Sequence, residues 1–125
     1  MNELPESIKH ALSLNLCKRN EDISNIIVVD YYDRVLAFTF NIGDRCFYAL
    51  KHIDETIFNK FYRDLWLITE TQLATHSEDI NVIFDSGINY WALYEYTSFV
   101  PIRYYKLVFK QIKKPKNKFL TINSL

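Results

Sequence analysis

Glycine and proline are scarce in this chain, which has two glycines and three prolines among 125 residues. Disordered and repetitive segments are usually rich in these residues, so the composition argues against both. Two glycines are also too few for a glycine-rich phosphate-binding loop. With 49% hydrophobic and 24% charged residues, the composition instead predicts a single globular domain over residues 1–125.

Cysteine is equally sparse, because Cys17 and Cys46 are the two thiols and they are not spaced as a CxxC pair. The first ten residues lack the basic and apolar regions of a secretory signal. No uncharged apolar run is long enough to span a bilayer. We therefore expect a soluble cytoplasmic protein with reduced cysteines and no membrane contact.

Residue types that are typical of catalytic and metal sites are few and scattered. His10, His52 and His76 lie far apart, and none has the spacing of a metal-binding motif. Cys46 and His52 would point to the same side of a strand, but six strand residues separate them by about 20 Å, too far for a nucleophile and its base. We therefore expect no catalytic residues, no cofactor and no metal ion.

The first half of the chain predicts one helix and three strands. Residues 4–18 carry apolar side chains three and four positions apart, which is typical of an amphipathic helix. Residues 24–53 contain β-branched and alternating segments, separated by turn signals at Asp33 and Gly43. The pattern predicts three antiparallel strands joined by short turns.

The second half predicts a long helix and three further strands. Apolar residues of segment 54–76 fill half of a helical wheel, and Asp54 would cap the helix. Residues 80–112 predict three strands, of which the first covers 80–84 and turns at Gly87 into the second. The expected fold is α+β, with an antiparallel sheet of about six strands in the order α-βββ-α-βββ. The long helix would cover the sheet, and residues 113–125 would form a basic tail.

Aromatic residues are concentrated between positions 89 and 109, which hold eight of the twenty in the chain. As a strand, residues 90–98 would place Tyr90, Tyr94 and Tyr96 on one face and Trp91 on the other. Large rings on both faces predict a strand in the middle of the sheet, with each side covered. The cover would be the two helices, or one helix and a partner protein.

Charge is balanced in total but unevenly distributed. Residues 1–53 have six basic and seven acidic residues, a net charge of −1. Residues 54–102 have two basic and eight acidic residues, a net charge of −6, and residues 103–125 have seven basic and no acidic residues, a net charge of +7. Either the tail neutralises the acidic middle on folding, or the two regions steer different partners.

The acidic middle next to the tyrosines predicts a surface that binds a basic protein partner. The residues of this predicted surface are Asp64, Glu70, Glu78, Asp79, Asp85, Tyr90, Tyr94, Glu95 and Tyr96. In size, fold class and surface, the chain is similar to the immunity proteins that protect bacteria from secreted or contact-delivered toxins. This resemblance implies a non-enzymatic inhibitor that neutralises a nuclease-like toxin domain by direct binding.

Three alternatives remain open from the sequence. A secretion chaperone or adaptor has a similar order of elements over residues 4–97, although a final helix would be expected where residues 103–112 alternate as a strand. A phage-encoded inhibitor of a host enzyme would present the same surface. The basic and aromatic segment 103–118 would suit single-stranded nucleic acid. Against nucleic acid, the rest of the chain is net acidic, so we expect a protein partner instead.

Overall fold

Six antiparallel strands lie side by side in the same order as in the chain. The computed structural model describes residues 3–58, 61–72, 79–98 and 104–115, which form an α+β fold of one sheet and two short helices. In chain order, the elements are α1 (Glu6–Leu16), β1 (Ile23–Tyr32), β2 (Arg34–Ile42), β3 (Arg45–Phe58), β4 (Phe61–Glu70), α2 (Ile80–Asp85), β5 (Asn89–Ser98) and β6 (Tyr104–Ile112). The predicted α+β class and the six-stranded antiparallel sheet are confirmed.

Helix α1 follows the prediction closely. Pro5 lies at its N-cap, and the Pro5 carbonyl accepts hydrogen bonds from the backbone N–H groups of Ile8 and Lys9 at 3.1 and 3.2 Å. Apolar residues at helical spacing are buried on one face of α1. This stripe packs on one side of the sheet, which we call the α1 side.

The first two turns are where the sequence predicted them. Asp33 joins β1 to β2 with a positive φ of 62°, and Gly43 begins the turn between β2 and β3 with a φ of 62°. Positive φ is strained for most residues but open to glycine and tolerated by aspartate and asparagine. Local residue choice therefore fixes both turns.

The predicted long helix over residues 54–76 is wrong in the described part of that segment. Residues 54–58 continue β3, and residues 61–70 form β4, whose neighbours are β3 and β5. Each side of the sheet is covered at β4, and this strand carries apolar residues on both faces. Its sequence therefore lacks the alternation of apolar and polar residues that would identify it as a strand. Residues 59–60 and 73–76 lie outside the described residues.

The predicted strand over residues 80–84 is also wrong, because this segment forms the short helix α2. The Asp79 carboxylate caps α2 by accepting a hydrogen bond from the backbone N–H of Asn81 at 2.9 Å. Ile80, Ile83 and Phe84 turn their side chains to the sheet, a spacing that favours a helix despite the β-branched residues. The predicted hairpin at Gly87 is therefore a connection from α2 to β5.

The core has two layers, one on each side of the sheet. On the α1 side, the helix covers rings from four strands; Phe40 and Phe47 stack with centroids 4.8 Å apart, and Phe38 meets Trp66 edge-on at 5.2 Å. On the opposite side, which we call the α2 side, Phe84 meets Tyr48 edge-on at 5.9 Å. Two short helices on opposite faces thus cover the sheet, where α1 and a long helix over residues 54–76 were expected.

Among the described residues, neither helix is long and apolar enough to cross a membrane.

Candidate functional site

The predicted acidic and aromatic residues are divided between the two sides of the sheet. Asp64 of β4 lies directly opposite Glu95 of β5, on the side that carries Trp66 and Trp91. Because alternate residues of a strand point to opposite faces, the tyrosines at positions 90, 94 and 96 all lie on the other, α2 side. The structure therefore does not bring these acids and tyrosines onto one surface.

Lys51 of β3 lies between Asp64 and Glu95. Its Nζ is 3.3 Å from Asp64 Oδ2 and 3.5 Å from Glu95 Oε1, and its side chain is 9% exposed. Arg34 Nη1 lies 3.8 Å from the same Asp64 oxygen. The Lys51 ammonium also lies 5.4 Å from the centroid of the Trp66 ring, a cation–π distance. Two cations thus pair with two half-buried carboxylates, which leaves little free negative charge there for a partner.

Tyr105 of β6 completes this cluster from the neighbouring strand. Its hydroxyl donates to Glu95 Oε2 at 2.7 Å and lies 3.2 Å from Ser7 Oγ of α1. Burial and the Glu95 carboxylate together raise the pKa of Tyr105 to about 12, while the hydrogen bond with Ser7 opposes the shift. The phenol therefore stays a hydrogen-bond donor at neutral pH, and the cluster ties α1 to the sheet.

Glu70, another predicted contact, is also paired. Arg45 donates to both carboxylate oxygens of Glu70 at 3.1 Å, and Asn89 Nδ2 donates to Glu70 Oε1 at 3.3 Å. The hydrogen bond from Arg45 lowers the pKa of Glu70, against the effect of its burial. In turn, Glu70 raises the pKa of Arg45. Bidentate pairs of this kind are among the stronger ion pairs, and this one fastens the β2–β3 turn to β4.

A small polar cavity of about 220 Å³ lies beside this ion pair. Its lining includes Asp44, Cys46, Thr71 and Gln72. Among the described residues, no group of three or more histidine, cysteine, aspartate or glutamate side chains is placed to hold a metal ion. Cys46 and Cys17 are both free thiols. Local geometry therefore gives this cavity no evident ligand.

The remaining predicted acids lie around α2. Asp79 is used as the N-cap described above, and Asp85 is an exposed residue at the end of the helix. Lys114 Nζ donates to the backbone carbonyl of Asp85 at 2.6 Å, which is the way a cation commonly satisfies the end of a helix. This is a contact between the basic tail and the acidic middle. Glu78 and the tail residues 116–125 lie outside the described residues.

The three predicted tyrosines of β5 differ in exposure. Tyr90 is buried, and its hydroxyl donates to the backbone carbonyls of Phe84 and Gly87, while burial raises its pKa. Tyr94 and Tyr96 are half-buried and stack with centroids 6.3 Å apart. The ammonium of Lys110 lies 5.5 Å from the Tyr94 centroid. These rings therefore adjoin the basic strand β6, and the Tyr94 ring already has neighbours where a base would stack.

Strand β1 carries a candidate interaction surface that was not predicted from the sequence. Four of its large apolar side chains are exposed: Ile27 (48%), Val29 (39%), Tyr31 (38%) and Tyr32 (75%). The sequence from residue 20 to residue 33 contains four acidic and no basic residues. That local composition was the available signal, but the β-branched run suggested an ordinary sheet strand.

The shape of β1 also distinguishes it from the other strands. Its pairing with β2 has three register shifts, and Asn25 has a positive φ of 53°. Bulges disturb the row of backbone groups that another strand would need, and so they protect an edge from indiscriminate pairing. The exposed side chains of β1 are therefore better suited to recognition than its backbone.

Comparison of the chain with protein families, with curated proteins and with solved structures finds no match.

Proposed function

We propose that this protein is a non-enzymatic binding domain that holds a basic protein partner through the outer surface of β1. A single observation carries the proposal: an edge strand presents four exposed apolar side chains within a segment that has four acids and no base. Exposed apolar groups on one strand are typical of interaction sites, with aromatic rings supplying most of the contact area. Acidic residues around them would attract and orient a basic surface.

Within this class, we propose an immunity-type inhibitor of a nuclease-like toxin. A nuclease must carry a basic surface to bind phosphates. The acidic segment 20–33, with its exposed rings, would compete for that surface and cover it. A secretion chaperone or adaptor, or a phage-encoded inhibitor of a host enzyme, would use the same surface and differ in the partner it binds.

Placing the contact on β1 changes the residues that are proposed to make it. Asp64, Glu70 and Glu95 are engaged by cations of this chain, whereas Asp30 and Asp33 are exposed. We therefore propose Asp30, Asp33 and Tyr32 as contacts. The role of the acids first predicted stays a prediction, which charge removal on α2 can test.

The test first asks whether a neighbouring gene encodes a secreted protein with a C-terminal toxin domain. Association with that domain is then measured by surface plasmon resonance. The double variant Asp30→Asn and Asp33→Asn removes two charges while keeping size, and asparagine tolerates the positive φ at position 33. The association rate should fall roughly three- to tenfold, because steering depends on charge near the contact. The association rate of the parent protein should also fall as salt rises from about 0.05 to 0.5 M, since the screening length shortens.

The matched control is the double variant Asp44→Asn and Asp85→Asn, which removes the same charge from exposed positions outside β1. Its association rate should change much less. Tyr32→Ala should speed dissociation, because an exposed ring is expected to anchor the contact. Failure of the toxin domain to bind would reject the immunity role. Equal slowing by both double variants would reject β1 as the contact.

A further inference from the structure

Strand β6, at the opposite edge of the sheet from β1, is regular. Its nine residues pair with β5 in nine successive pairs without a register shift. Within the part of the chain that the structure describes, no strand pairs with the outer side of β6. A straight, unpaired edge of this length offers a ladder of backbone donors and acceptors to an added strand.

A groove lies along the α1 side of this edge. It has a volume of about 350 Å³ and lies between α1 and the last two strands. Leu14, Leu107 and Phe109 give it an apolar lining, and His10 and Asn15 are among its polar residues. Leu14 is 71% exposed, so it leaves apolar surface of the groove open to solvent. The groove would therefore accept apolar side chains.

The other side of β6 has a different character. Lys106, Val108 and Lys110 alternate with the groove-lining residues and point to the α2 side, where both lysines are exposed. A strand added to β6 would turn every second side chain toward the groove and the others toward these lysines. Side chains of the added strand that face the groove would meet an apolar surface, and those on the other side would lie near the two lysines.

We propose that the β6 edge and its groove bind an extended peptide segment of a partner protein, in which apolar residues alternate with aspartate or glutamate. Binding by strand addition takes affinity from main-chain hydrogen bonds and specificity from alternate side chains. The charge of Lys106 and Lys110 selects acidic residues in one row, and the groove selects apolar residues in the other. This site is separate from the β1 surface and does not depend on the proposed function.

The probe is a fluorescein-labelled nine-residue peptide of alternating glutamate and leucine, titrated with the full-length protein by fluorescence anisotropy. We expect saturable binding that weakens at least tenfold with Leu14→Glu, which places a negative charge in the groove. The matched control Val82→Glu changes an exposed residue of α2 on the other side of the sheet and should bind as the parent does. A peptide of the same composition with its leucines grouped together should bind at least tenfold more weakly.

Charge exchange tests the lysine row. The double variant Lys106→Glu and Lys110→Glu should lose the glutamate peptide and gain binding of a peptide in which lysine replaces glutamate. Thermal melts of each variant confirm that the fold is intact. Loss of the first peptide without gain of the second, in a folded variant, would contradict an acidic ligand.

Backbone recognition is tested with two further peptides, each N-methylated at one of the two sets of alternate amides. Only one set faces β6 in an added strand, so one peptide should lose binding and the other should keep it. Equal binding of both, or no binding of the unmodified peptide, would overturn strand addition. Concentration-dependent dimerisation abolished by Leu14→Glu would show that a second copy of this chain occupies the edge, and it would also overturn the proposal.

Discussion

Gly87, between α2 and β5, shows how a single residue can be fixed by close packing. A Cβ atom at this position would lie 2.0 Å from Thr69 Oγ1 and 2.7 Å from the Tyr90 hydroxyl oxygen. Both neighbours are constrained, since Thr69 Oγ1 donates to the Asn89 carbonyl at 2.9 Å and Tyr90 donates to two carbonyls around α2. The close approach therefore requires glycine.

Gly87→Ala is expected to lower the free energy of unfolding by roughly 1–3 kcal/mol, because the methyl group must displace buried, hydrogen-bonded side chains. Urea denaturation followed by circular dichroism measures the change. Gly43→Asn is the control: a Cβ there meets nothing within 4 Å, and asparagine tolerates its positive φ. The two variants losing equal stability would show that close packing at Gly87 is not the determining factor.

The ion pair of Glu70 with Arg45 predicts how stability depends on pH. Its pKa in the folded protein lies below the ordinary value because Arg45 donates to both of its oxygens. Its stabilisation is therefore fully present above the pKa of the unfolded chain and is lost as pH falls through the folded pKa. Glu70→Gln should flatten the dependence of unfolding free energy on pH below about pH 4.3, the ordinary range of a glutamate.

The control for Glu70 is Glu6→Gln on α1, where the carboxylate is 86% exposed and pairs with Lys9 across one turn. Exposed pairs contribute little to stability, so this variant should keep the pH dependence of the parent. A Glu70→Gln profile that parallels the parent down to about pH 3, well below that ordinary range, would show that Arg45 does not stabilise the charged form.

Among the elements, those with a clear period or a strong turn residue were predictable from the sequence. The stripe of α1 and the turns at Asp33 and Gly43 are examples. Strand β4 was not predictable from periodicity, because Trp66 and Leu67 are adjacent in the chain and both buried, one on each side of the sheet. An apolar run of that kind fits a wide helix face as well as a central strand. The prediction failed where tertiary contacts, rather than local pattern, decide the element.

Strand β5 behaves as the sequence indicated over its first half. Trp91 and Leu93 pack on the α1 side and Tyr90 on the α2 side, so both helices cover this strand. The interpretation of its rings as core thus holds for residues 90–93. Tyr94 and Tyr96, in its second half, are half-buried.

Trp91→Ala should lower the free energy of unfolding by roughly 3–5 kcal/mol, since it leaves a large cavity against Phe47 in the α1-side core. Thermal melts measure the effect. Tyr32→Ala, which removes an exposed ring of β1, should change stability by no more than about 0.5 kcal/mol. A melting temperature of Trp91→Ala equal to that of the parent would show that this residue does not stabilise the core.

For the molecule as a whole, sequence charge was a poor guide to surface charge. The acidic middle was expected to form one surface, but Lys51, Arg34 and Arg45 from earlier strands pair with three of its carboxylates. Such pairing depends on which strands become neighbours. Because residues 54–76 were predicted as a helix, the adjacency of β3, β4 and β5 was not foreseen. The candidate surface on β1 was missed although its acidic composition was visible in the sequence, because its position at an edge follows from the full strand order.

Strand order also has a consequence for synthesis on the ribosome. Each strand pairs with its neighbours in the chain, so the sheet can grow hairpin by hairpin as the chain emerges. Helix α1 leaves the ribosome before any strand of the sheet, yet its apolar stripe is covered by strands as late as β5, with Leu107 and Phe109 of β6 beside them. Part of the apolar face of α1 therefore stays unburied until the last strands of the sheet have been synthesised.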